Sequence, residues 1–400
     1  MLDHLQNKSK KLQKKIIPYS RHFVDKDDIK SVIKVLKSDF LTTGPTVKIF
    51  EEKISKFCKS KFSICVSNAS AGLHLGCIAL GLTHKDIVWT TGITFVSSIN
   101  AALHCKSKID LVDIDNDDFN ISVEHLEKKL KIAKFSKKLP KVLIVVHLGG
   151  VPCNMKKIYN LSKKYKFKII EDASHAFGSK YDNKYVGNCK YSEMTIFSFH
   201  PVKTFTTGEG GAVTTNNIEI AKKIYSLKEH GLIRNKKEFK NKKEGAWYYE
   251  QQNLGFNYRM SDIHAALGIS QLKKIKKFVK RRNQIAKIYM KELIKFPIKF
   301  QKTNENFSSY HLLIAKFPKI YHNKIFKLLR DKNIRVNKHY IPLYMHPYFK
   351  LDQKKYSFNL KNTQNYYETA ISLPNYFHLT KKEIYFVINI IKKFFNKKIR

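Results

Sequence analysis

Short apolar runs alternate with amphipathic stretches through the first half of the chain. Apolar runs bounded by turn residues predict buried strands at residues 62–67, 86–91, 109–113, 141–147 and 168–172. Apolar positions at helical spacing predict helices over residues 25–37, 45–57, 69–80, 96–104, 123–134 and 155–165. This alternation is typical of right-handed βαβ units, so we expect an α/β fold with a mostly parallel sheet.

The pattern changes in the second half of the chain. Two more strands are predicted at residues 194–198 and 211–215. Because no helix separates them, they either form a hairpin or pair with an edge of the sheet. A helix over 218–229 and a polar loop over 235–252 precede a long helix predicted from Ser261 to Leu293. After Pro297 the predicted elements are strands at 310–317 and 334–341, a helix over 319–332, and a closing helix with a Thr380–Glu383 capping box.

Chain length and these patterns together predict two domains. The chain has 400 residues and a hydrophobic fraction of 43%, which is typical of a globular protein with a large core. We expect a solvated N-terminal extension at residues 1–16, a large domain at 17–275 and a smaller α+β domain at 276–400. The N-terminus has no apolar segment of the secretory type, and no apolar run approaches the roughly 20 residues that span a bilayer. These features predict a cytoplasmic protein without a membrane partner.

The charge of the chain raises the question of a nucleic-acid partner. The sequence has 76 Lys and Arg residues against 32 Asp and Glu, which gives a formal net charge of +44. Of the basic residues, 68 are lysines and eight are arginines, and the lysines are spread along the whole chain. Since arginine is the preferred residue for phosphate and base recognition, this usage favours codon bias in an A+T-rich genome over a specific nucleic-acid site.

The six cysteines do not have the spacing of a metal or redox site. No two of them form a C-x-x-C pair, and no histidine cluster has zinc-binding spacing. We therefore expect free thiols in a reducing compartment and no bound metal.

Asp172 and Lys203 give the strongest indication of chemistry. Asp172 ends a predicted strand, and the carboxyl ends of parallel strands are where α/β proteins bind ligands. Lys203 lies between an apolar strand and the glycine-rich segment 208–211. A carboxylate that keeps a pyridinium nitrogen protonated and a lysine that forms a Schiff base are what pyridoxal phosphate (PLP) requires of a protein. The pair therefore predicts PLP chemistry.

Other side chains are candidates for the same site, each with a structural alternative. Ser70 begins a predicted helix, where a hydroxyl and backbone N–H groups suit a phosphate, although serine is also a common N-cap. Phe95 either stacks on the cofactor ring or fills the core. His175 either orients the neighbouring carboxylate or contacts the ring hydroxyl. Ser198 can donate its hydroxyl to the phosphate, and Arg259 stands out in a chain with few arginines.

Four co-linear motifs resemble those of the DegT/DnrJ/EryC1/StrS sugar aminotransferases. They are Glu171-Asp172-Ala173-Ser174-His175-Ala176, Phe197-Ser198-Phe199-His200-Pro201-Val202-Lys203, Gly208-Glu209-Gly210-Gly211-Ala212 and Gly255-Phe256-Asn257-Tyr258-Arg259-Met260-Ser261-Asp262-Ile263. The resemblance covers nearly the whole chain from Ile17 onwards. The opening segments 17–21 and 36–45 are most similar to the branch of this family that acts in pseudaminic acid biosynthesis.

The resemblance implies a fold, a cofactor and roles for individual residues. The implied fold is PLP-dependent transferase fold type I, as in aspartate aminotransferase, in a homodimer with shared active sites. By motif, Lys203 matches the Schiff-base lysine and Asp172 the partner of the pyridine nitrogen. The other matches are Ser70, Ala71 and Ser198 at the phosphate, Phe95 on the ring, His175 near the ring hydroxyl, and Asn257 at the phosphate of the neighbouring subunit's cofactor. Candidate substrate contacts are Tyr19, Arg21 and Arg259.

The implied activity is ping-pong transamination from L-glutamate to a nucleotide-linked 4-keto-6-deoxy sugar. Aminotransferases of the same family that act on perosamine-, bacillosamine- or aminocyclitol-type substrates are alternatives, and a PLP-binding regulator without turnover is an alternative of another class. A 3-dehydratase of the same fold is disfavoured, because those relatives carry histidine at the position of Lys203. Gly92, in place of a proline, and Gly149-Gly150, in place of an aromatic-glycine pair, depart from the family pattern and bear on the sugar pocket.

Overall fold

The computed structural model describes residues 16–241 and 244–399. Residues 1–15 of the predicted N-terminal extension lie outside this range. Among the helices in these two ranges, none has the length and the apolar composition needed to cross a membrane.

The described residues form sixteen strands and thirteen α-helices. In chain order the strands are β1 (Ile17–Pro18), β2 (Phe62–Val66), β3 (Ile87–Thr91), β4 (Lys108–Val112), β5 (Val142–Val146), β6 (Lys168–Asp172), β7 (Lys180–Tyr181), β8 (Lys184–Tyr185), β9 (Met194–Ser198), β10 (Gly211–Thr215), β11 (Leu232–Ile233), β12 (Glu250–Gln251), β13 (Lys299–Phe300), β14 (Leu313–Lys316), β15 (Ile334–Arg335) and β16 (Ala370–Leu373). The helices are α1 (Lys26–Leu36), α2 (Pro45–Cys58), α3 (Ala69–Ala79), α4 (Ser97–His104), α5 (Val123–Phe135), α6 (Met155–Tyr165), α7 (Ile218–Lys228), α8 (Asp262–Lys273), α9 (Ile275–Leu293), α10 (Lys319–Asp331), α11 (Gln353–Asn359), α12 (Lys361–Thr369) and α13 (Lys381–Ile399). Short 3-10 turns lie at Leu148–Gly150, Lys236–Glu238, Leu343–Met345 and Pro347–Phe349.

A seven-stranded sheet with the order β2-β10-β9-β6-β5-β3-β4 is the centre of the fold. All strands but β10 run in one direction, which confirms the predicted α/β fold with a mostly parallel sheet. The strands predicted at 194–198 and 211–215 have the predicted bounds, and they pair with each other in the antiparallel direction. Because β10 also pairs with β2, both strands lie inside the sheet and not at its edge.

Helices cover both faces of this sheet. On one face α3, α4 and α7 pack on apolar side chains such as Ile144 and Ile196. On the other face α2 and α8 pack around Phe197, while α5 and α6 pack around Leu143. The strands therefore carry apolar side chains on both faces, as a sheet buried between two helical layers requires.

The C-terminal residues form a second core with its own sheet. Strands β13, β14 and β16 make a three-stranded antiparallel sheet, which packs with α9, α10 and α13. Ile17 of β1 is also buried in this core, since β1 pairs in parallel with β15. Helix α9 contributes to both cores, with Phe278 in the first and Tyr289 in the second. The division of the chain at residue 275 remains a prediction.

The long helix predicted from Ser261 to Leu293 is wrong in one respect, because it is two helices broken at Lys274. The Lys274 N–H donates to the Gln271 carbonyl at 2.9 Å, three residues back, which closes α8 with a tight turn. The Lys274 ammonium pairs with the carboxylates of Asp25 and Asp28, at the start of α1. The break thus lies at a contact between the end of α8 and the start of α1.

The strand predicted at residues 334–341 is also wrong over most of its length. Ile334 and Arg335 pair with β1, and Asn337 forms a single bridge with Ser372. Beyond this point the chain leaves the sheet, and His339 and Tyr340 line the large cavity described below. The strand predicted at 310–317 is shorter than expected, since its ladder covers Leu313–Lys316.

Candidate active site

A cavity of about 600 Å³ lies at the carboxyl edge of the central sheet. The ends of β6 and β9 reach this edge, as does the segment that follows β3. Of the predicted site residues, the cavity is lined by Tyr19, Ser70, Phe95, Asp172, His175, Ser198 and Lys203. The sheet thus brings together side chains that lie up to 184 residues apart in the sequence, at the place where parallel sheets bind ligands.

Asp172 is a buried carboxylate held by hydroxyl donors. Its Oδ2 accepts a hydrogen bond from Ser98 Oγ at 2.7 Å, and its Oδ1 accepts from Ser174 Oγ at 2.6 Å and from the Ser174 N–H at 3.1 Å. Hydrogen bonds to a carboxylate favour its charged form and fix its orientation. The residue therefore presents an oriented negative charge at the edge of the cavity.

Glu171, next to Asp172, has a different environment. Its side chain points to the other face of the strand and is satisfied by His147 Nε2 at 2.8 Å, Ser192 Oγ at 2.5 Å and Thr195 Oγ1 at 2.9 Å. This carboxylate is absent from the cavity lining. Of the two adjacent acidic residues, Asp172 is therefore the one available to a ligand.

Lys203 lies in the loop between β9 and β10, where it lines the cavity. Two contacts hold this loop, a hydrogen bond from Ser20 Oγ to the Val202 carbonyl at 2.8 Å and one from the Lys203 N–H to the His200 carbonyl at 2.9 Å. Desolvation lowers the pKa of Lys203 to about 8, and the Asp172 carboxylate acts in the opposite direction. An amine with a lowered pKa is neutral more often, and a neutral amine is the form that attacks a carbonyl.

His175 is held as a neutral ring between two partners. The Gly149 N–H donates to Nδ1 at 3.3 Å, so the ring proton is on Nε2, which lies 3.0 Å from the Tyr340 hydroxyl. Burial lowers the pKa of His175 well below its usual range, and Lys203 and His339 act in the same direction. The pair of His175 and Tyr340 is therefore an uncharged hydrogen-bonded wall of the cavity.

The N-terminus of α3 reaches the cavity from the β2 side. Asn68 caps this helix by accepting the Ala71 N–H on Oδ1 at 2.8 Å, and the Ser70 hydroxyl lies 2.7 Å from the Ser97 hydroxyl. A helix N-terminus with exposed hydroxyls suits an anion. Ser70 lines the cavity, whereas Ala71 does not, and the Ala71 N–H is bound by Asn68.

Phe95 and Tyr19 border the cavity at its mouth. Phe95 is 55% exposed, which excludes the alternative that it fills the core. Its ring centroid lies 5.7 Å from that of Tyr340, and Tyr19 lies 4.8 Å from His339. These rings form an aromatic rim around the entrance.

Besides Ala71, three predicted site residues do not line the cavity. Asn257 and Arg259 lie in the segment before α8, and the Asn257 backbone forms a bridge with Glu229. Arg21 borders a small void behind Lys203, together with His22 and Phe377. The geometry of one chain brings none of the three to the cavity.

Sequence reasoning missed three residues of the site. Ser174 follows Asp172 by two residues, and that spacing is a usable signal, since a carboxylate often accepts from an N–H two residues on. Ser98 follows the Thr94-Phe95 pair but has no local signal of its own. Tyr340 is 165 residues from His175 in the chain, so only the folded structure reveals this contact.

No cluster of three or more His, Cys, Asp or Glu side chains placed to hold a metal ion is found in residues 16–241 and 244–399. All six cysteines are free thiols within the same ranges, and five of them are buried.

The chain matches the DegT/DnrJ/EryC1/StrS aminotransferase family over residues 23–392. The chain belongs to this family. Its sequence is 38% identical over 379 residues to the UDP-4-amino-4,6-dideoxy-N-acetyl-beta-L-altrosamine transaminase of Campylobacter jejuni, a match that covers 93% of this chain and 96% of that protein. The family assigned from four motifs is thereby confirmed.

Two solved structures of relatives support the fold assignment. PseC of Helicobacter pylori, an aminotransferase involved in the biosynthesis of pseudoaminic acid, superposes with a TM-score of 0.84 at 29% identity, covering 96% of this chain and all of that chain. The PLP form of Spr1654 from Streptococcus pneumoniae superposes with a TM-score of 0.85 at 27% identity, covering 96% of this chain and 99% of that one. This chain of the DegT/DnrJ/EryC1/StrS family thus has the fold of PLP-dependent aminotransferases.

Proposed function

We propose that this protein is a PLP-dependent aminotransferase that transfers an amino group from L-glutamate to C4 of a nucleotide-linked 4-keto-6-deoxy sugar. One observation carries the proposal. The oriented carboxylate of Asp172 and the desolvated amine of Lys203 line the same cavity at the carboxyl edge of the sheet. This is the pair of groups that PLP requires of a protein.

The cavity residues fit this cofactor. The Lys203 amine forms no hydrogen bond or ion pair with any described residue, so it is available to hold the aldehyde carbon. Asp172 would face the pyridine nitrogen, since its carboxylate is oriented by hydrogen bonds from Ser98 and Ser174. A cavity of about 600 Å³ has the size of a small-molecule site.

The remaining contacts would surround the rest of the cofactor. Ser70 at the start of α3 and Ser198 at the end of β9 would hold the phosphate. His175 would lie near the ring hydroxyl, and Phe95 would lie against a ring face. The Ala71 N–H would have to exchange its bond with Asn68 for one with the phosphate, as the capping bond is present here.

Lys203 performs the proton transfers in this proposal. When bound, PLP supplies an electron sink for the bonds at the carbon that carries the amino group. With the amino donor bound, the Lys203 Nζ would take the proton from Cα of glutamate. With the keto sugar bound, the same Nζ would deliver a proton to C4 of the sugar. The lowered pKa of about 8 keeps a usable fraction of this amine neutral near neutral pH.

Asp172 and His175 have fixed positions beside this amine. Asp172 is oriented by hydroxyl and N–H donors. His175 remains neutral because burial lowers its pKa, and the nearby Lys203 acts in the same direction. The cavity therefore combines one oriented carboxylate with one titrating amine.

The relatives support the identity of the sugar. Because the Campylobacter jejuni relative is named for the altrosamine sugar nucleotide, we propose UDP-2-acetamido-2,6-dideoxy-beta-L-arabino-hexos-4-ulose as the acceptor. PseC, with a role in pseudoaminic acid biosynthesis, supports the same class of substrate. Tyr19 at the cavity rim is our candidate contact to this sugar, and we propose a cytoplasmic location for the reaction.

A homodimer with shared active sites completes the proposal. Asn257 is exposed and does not line the cavity of its own chain. Trp247 and Leu254, in the segment just before it, are 79% and 83% exposed. Large exposed apolar side chains mark interaction surfaces. We propose that this segment packs on a second copy, where Asn257 reaches the cofactor phosphate and Arg259 and Arg21 approach the substrate.

The proposal is tested by incubating the protein with PLP, L-glutamate and the 4-keto sugar nucleotide, and measuring the 4-amino product by mass spectrometry. We expect turnover with the natural protein and with Lys190→Ala, since Lys190 is an exposed residue paired with Asp182. Lys203→Ala should lose activity by a factor of about 1000 or more while keeping its fold. Undiminished turnover by Lys203→Ala would refute the role of this lysine.

A further inference from the structure

A second cavity, of about 660 Å³, lies between the β7–β8 hairpin and the first half of α9. Its walls include Lys180, Tyr185, Lys276, Lys280 and Phe307. We call this cavity the α9 groove. It shares no lining residue with the candidate active site. Its size falls within the range of small-molecule sites.

The approach of the hairpin to α9 depends on Gly178. This residue has a φ of +89°, which favours glycine, and a Cβ added there would lie 3.0 Å from Val279 Cγ2. The hairpin can therefore pack directly against the helix, which leaves the groove beside the contact. The cavity is thus fixed by packing between two elements and is not a gap between mobile side chains.

One wall of the groove is basic. Lys276, Lys280 and Lys287 are spaced by four and seven residues, which places them on one face of α9, and all three are exposed. The ion pairs among the described residues include none of them, and no acidic residue lines the groove. These charges are therefore available to an anionic ligand.

The floor of the groove is aromatic. The ring of Phe57 lies 4.3 Å from that of Tyr185, and Lys180 Nζ lies 4.9 Å above the Tyr185 ring. Phe307 is 43% exposed, and its backbone pairs with that of Lys180 at 2.8 and 3.2 Å. Lysines occur over the whole surface of this protein, but this concave site adds the exposed ring of Phe307, on which a planar group can stack.

We propose that the α9 groove binds a nucleoside polyphosphate, with the base against Phe307 and the phosphates on Lys276, Lys280 and Lys287. Lysine binds phosphate as a point charge, and aromatic rings accept any base by stacking. An acidic peptide would use the charges but not the rings. This site lies apart from the active-site cavity, so it does not depend on the proposed aminotransferase activity.

The test is a calorimetric titration at 150 mM salt, in which ATP and tripolyphosphate are each added to the PLP-bound full chain. We expect ATP to bind the natural protein with a Kd in the micromolar range. Lys276→Gln combined with Lys280→Gln should raise this Kd by roughly 10-fold or more. The matched control is Lys273→Gln combined with Lys291→Gln, which removes the same charge from exposed positions outside the groove and should leave the Kd within twofold.

The aromatic part of the proposal has a separate arm. Phe307→Ala keeps the backbone hydrogen bonds to Lys180. It should raise the Kd for ATP roughly fivefold, while the Kd for tripolyphosphate should stay within about twofold of its original value. If the two pairs of lysine substitutions weaken ATP binding equally, ATP is attracted non-specifically to a highly charged chain, and the proposed site is wrong. If Phe307→Ala has no effect on ATP binding, or if a polyglutamate peptide and ATP bind with equal affinity, the proposal that the groove recognises a nucleoside is wrong. Aminotransferase turnover of the Lys276→Gln, Lys280→Gln protein should remain unchanged.

Discussion

At the scale of single residues, the chemistry depends on how the fold changes the properties of Lys203. Desolvation lowers its pKa to about 8, compared with about 10.4 for an ordinary lysine. The sign of this shift is opposite to that of a salt-bridged lysine, because here the loss of water outweighs the attraction of Asp172. The amine is therefore reactive in a pH range where surface lysines are still protonated.

This shift predicts the pH dependence of labelling at Lys203. In protein without cofactor, the rate of acetylation at Lys203, followed by peptide mass spectrometry, should reach half its maximum near pH 8. Labelling of exposed lysines should continue to rise above pH 9. Asp172→Asn should move the Lys203 curve to lower pH, since the carboxylate raises this pKa. A Lys203 curve that coincides with those of surface lysines would contradict the desolvated site.

Ser98 is predicted to position Asp172. Its hydroxyl is buried and donates to Asp172 Oδ2 at 2.7 Å. Removing a hydrogen bond to a buried charge costs about 1.5–3 kcal/mol, so Ser98→Ala should raise the Kd for PLP by roughly 10-fold or more. The measurement is a PLP titration followed by absorbance. Ser136→Ala, at the exposed end of α5, serves as the control and should leave the Kd unchanged. An unchanged Kd for Ser98→Ala would show that the hydroxyl does not support the carboxylate.

Residues of the site were predictable where a local signal marks them. Asp172 ends an apolar strand and Lys203 precedes glycines, so both stand out in the sequence and both line the cavity. Tyr340 and Ser98 carry no such signal, because their partners are 165 and 74 residues away. Asn257 was predicted from a motif, and its partner group would belong to a second subunit.

At the scale of elements, apolar runs with clear turn signals gave correct strands and helices. β6, β9, β10 and α6 have the predicted bounds, since apolar positions end at polar or glycine residues there. Long-range contacts explain the two incorrect element predictions. Lys274 breaks a continuous helical pattern while it pairs with Asp25 and Asp28 of a distant segment. The strand at 334–341 ends early because only Ile334 and Arg335 find a partner strand.

The predicted capping box at the start of α13 provides a test at this scale. Thr380 Oγ1 accepts the Glu383 N–H at 3.2 Å, and Glu383 Oε2 accepts the Thr380 N–H at 2.9 Å. Thr380→Ala should lower the free energy of unfolding by about 1 kcal/mol, because α13 packs in the C-terminal core. The check is urea denaturation, with Thr303→Ala as the control, for which no change is expected. A loss below about 0.3 kcal/mol would contradict the contribution of this cap.

At the scale of the whole molecule, the proposed sharing of active sites predicts complementation between two inactive proteins. Lys203→Ala lacks the proposed catalytic amine, and Asn257→Ala lacks the proposed contact to the neighbouring cofactor. In a mixed dimer of the two, one site has both natural residues. Co-expression should therefore restore roughly a quarter of the natural activity per dimer, since half of the dimers are mixed and each has one intact site.

The control for complementation is a mixture of Lys203→Ala with Asp172→Ala. These two residues line the cavity of the same chain, so a mixed dimer contains no intact site. Activity in this control, or its absence in the Lys203→Ala and Asn257→Ala mixture, would contradict the proposed sharing of sites between subunits.

The α/β class, the parallel sheet and the family could be predicted for the molecule as a whole, since each follows from local patterns repeated along the chain. The parallel pairing of β1 with β15 could not, because Ile17 and Ile334 carry no local sign of their contact. The α9 groove could not be predicted either, because it forms between a hairpin and a helix that are about 90 residues apart in the sequence.

The first half-reaction tests the central claim most directly. The protein reconstituted with PLP should show a visible absorption band, and L-glutamate added without any sugar should remove this band. One equivalent of 2-oxoglutarate and one of pyridoxamine phosphate per site should appear, and Lys203→Ala should produce neither. A visible band that persists with excess L-glutamate, and no 2-oxoglutarate, would contradict transamination from glutamate at the Asp172–Lys203 site.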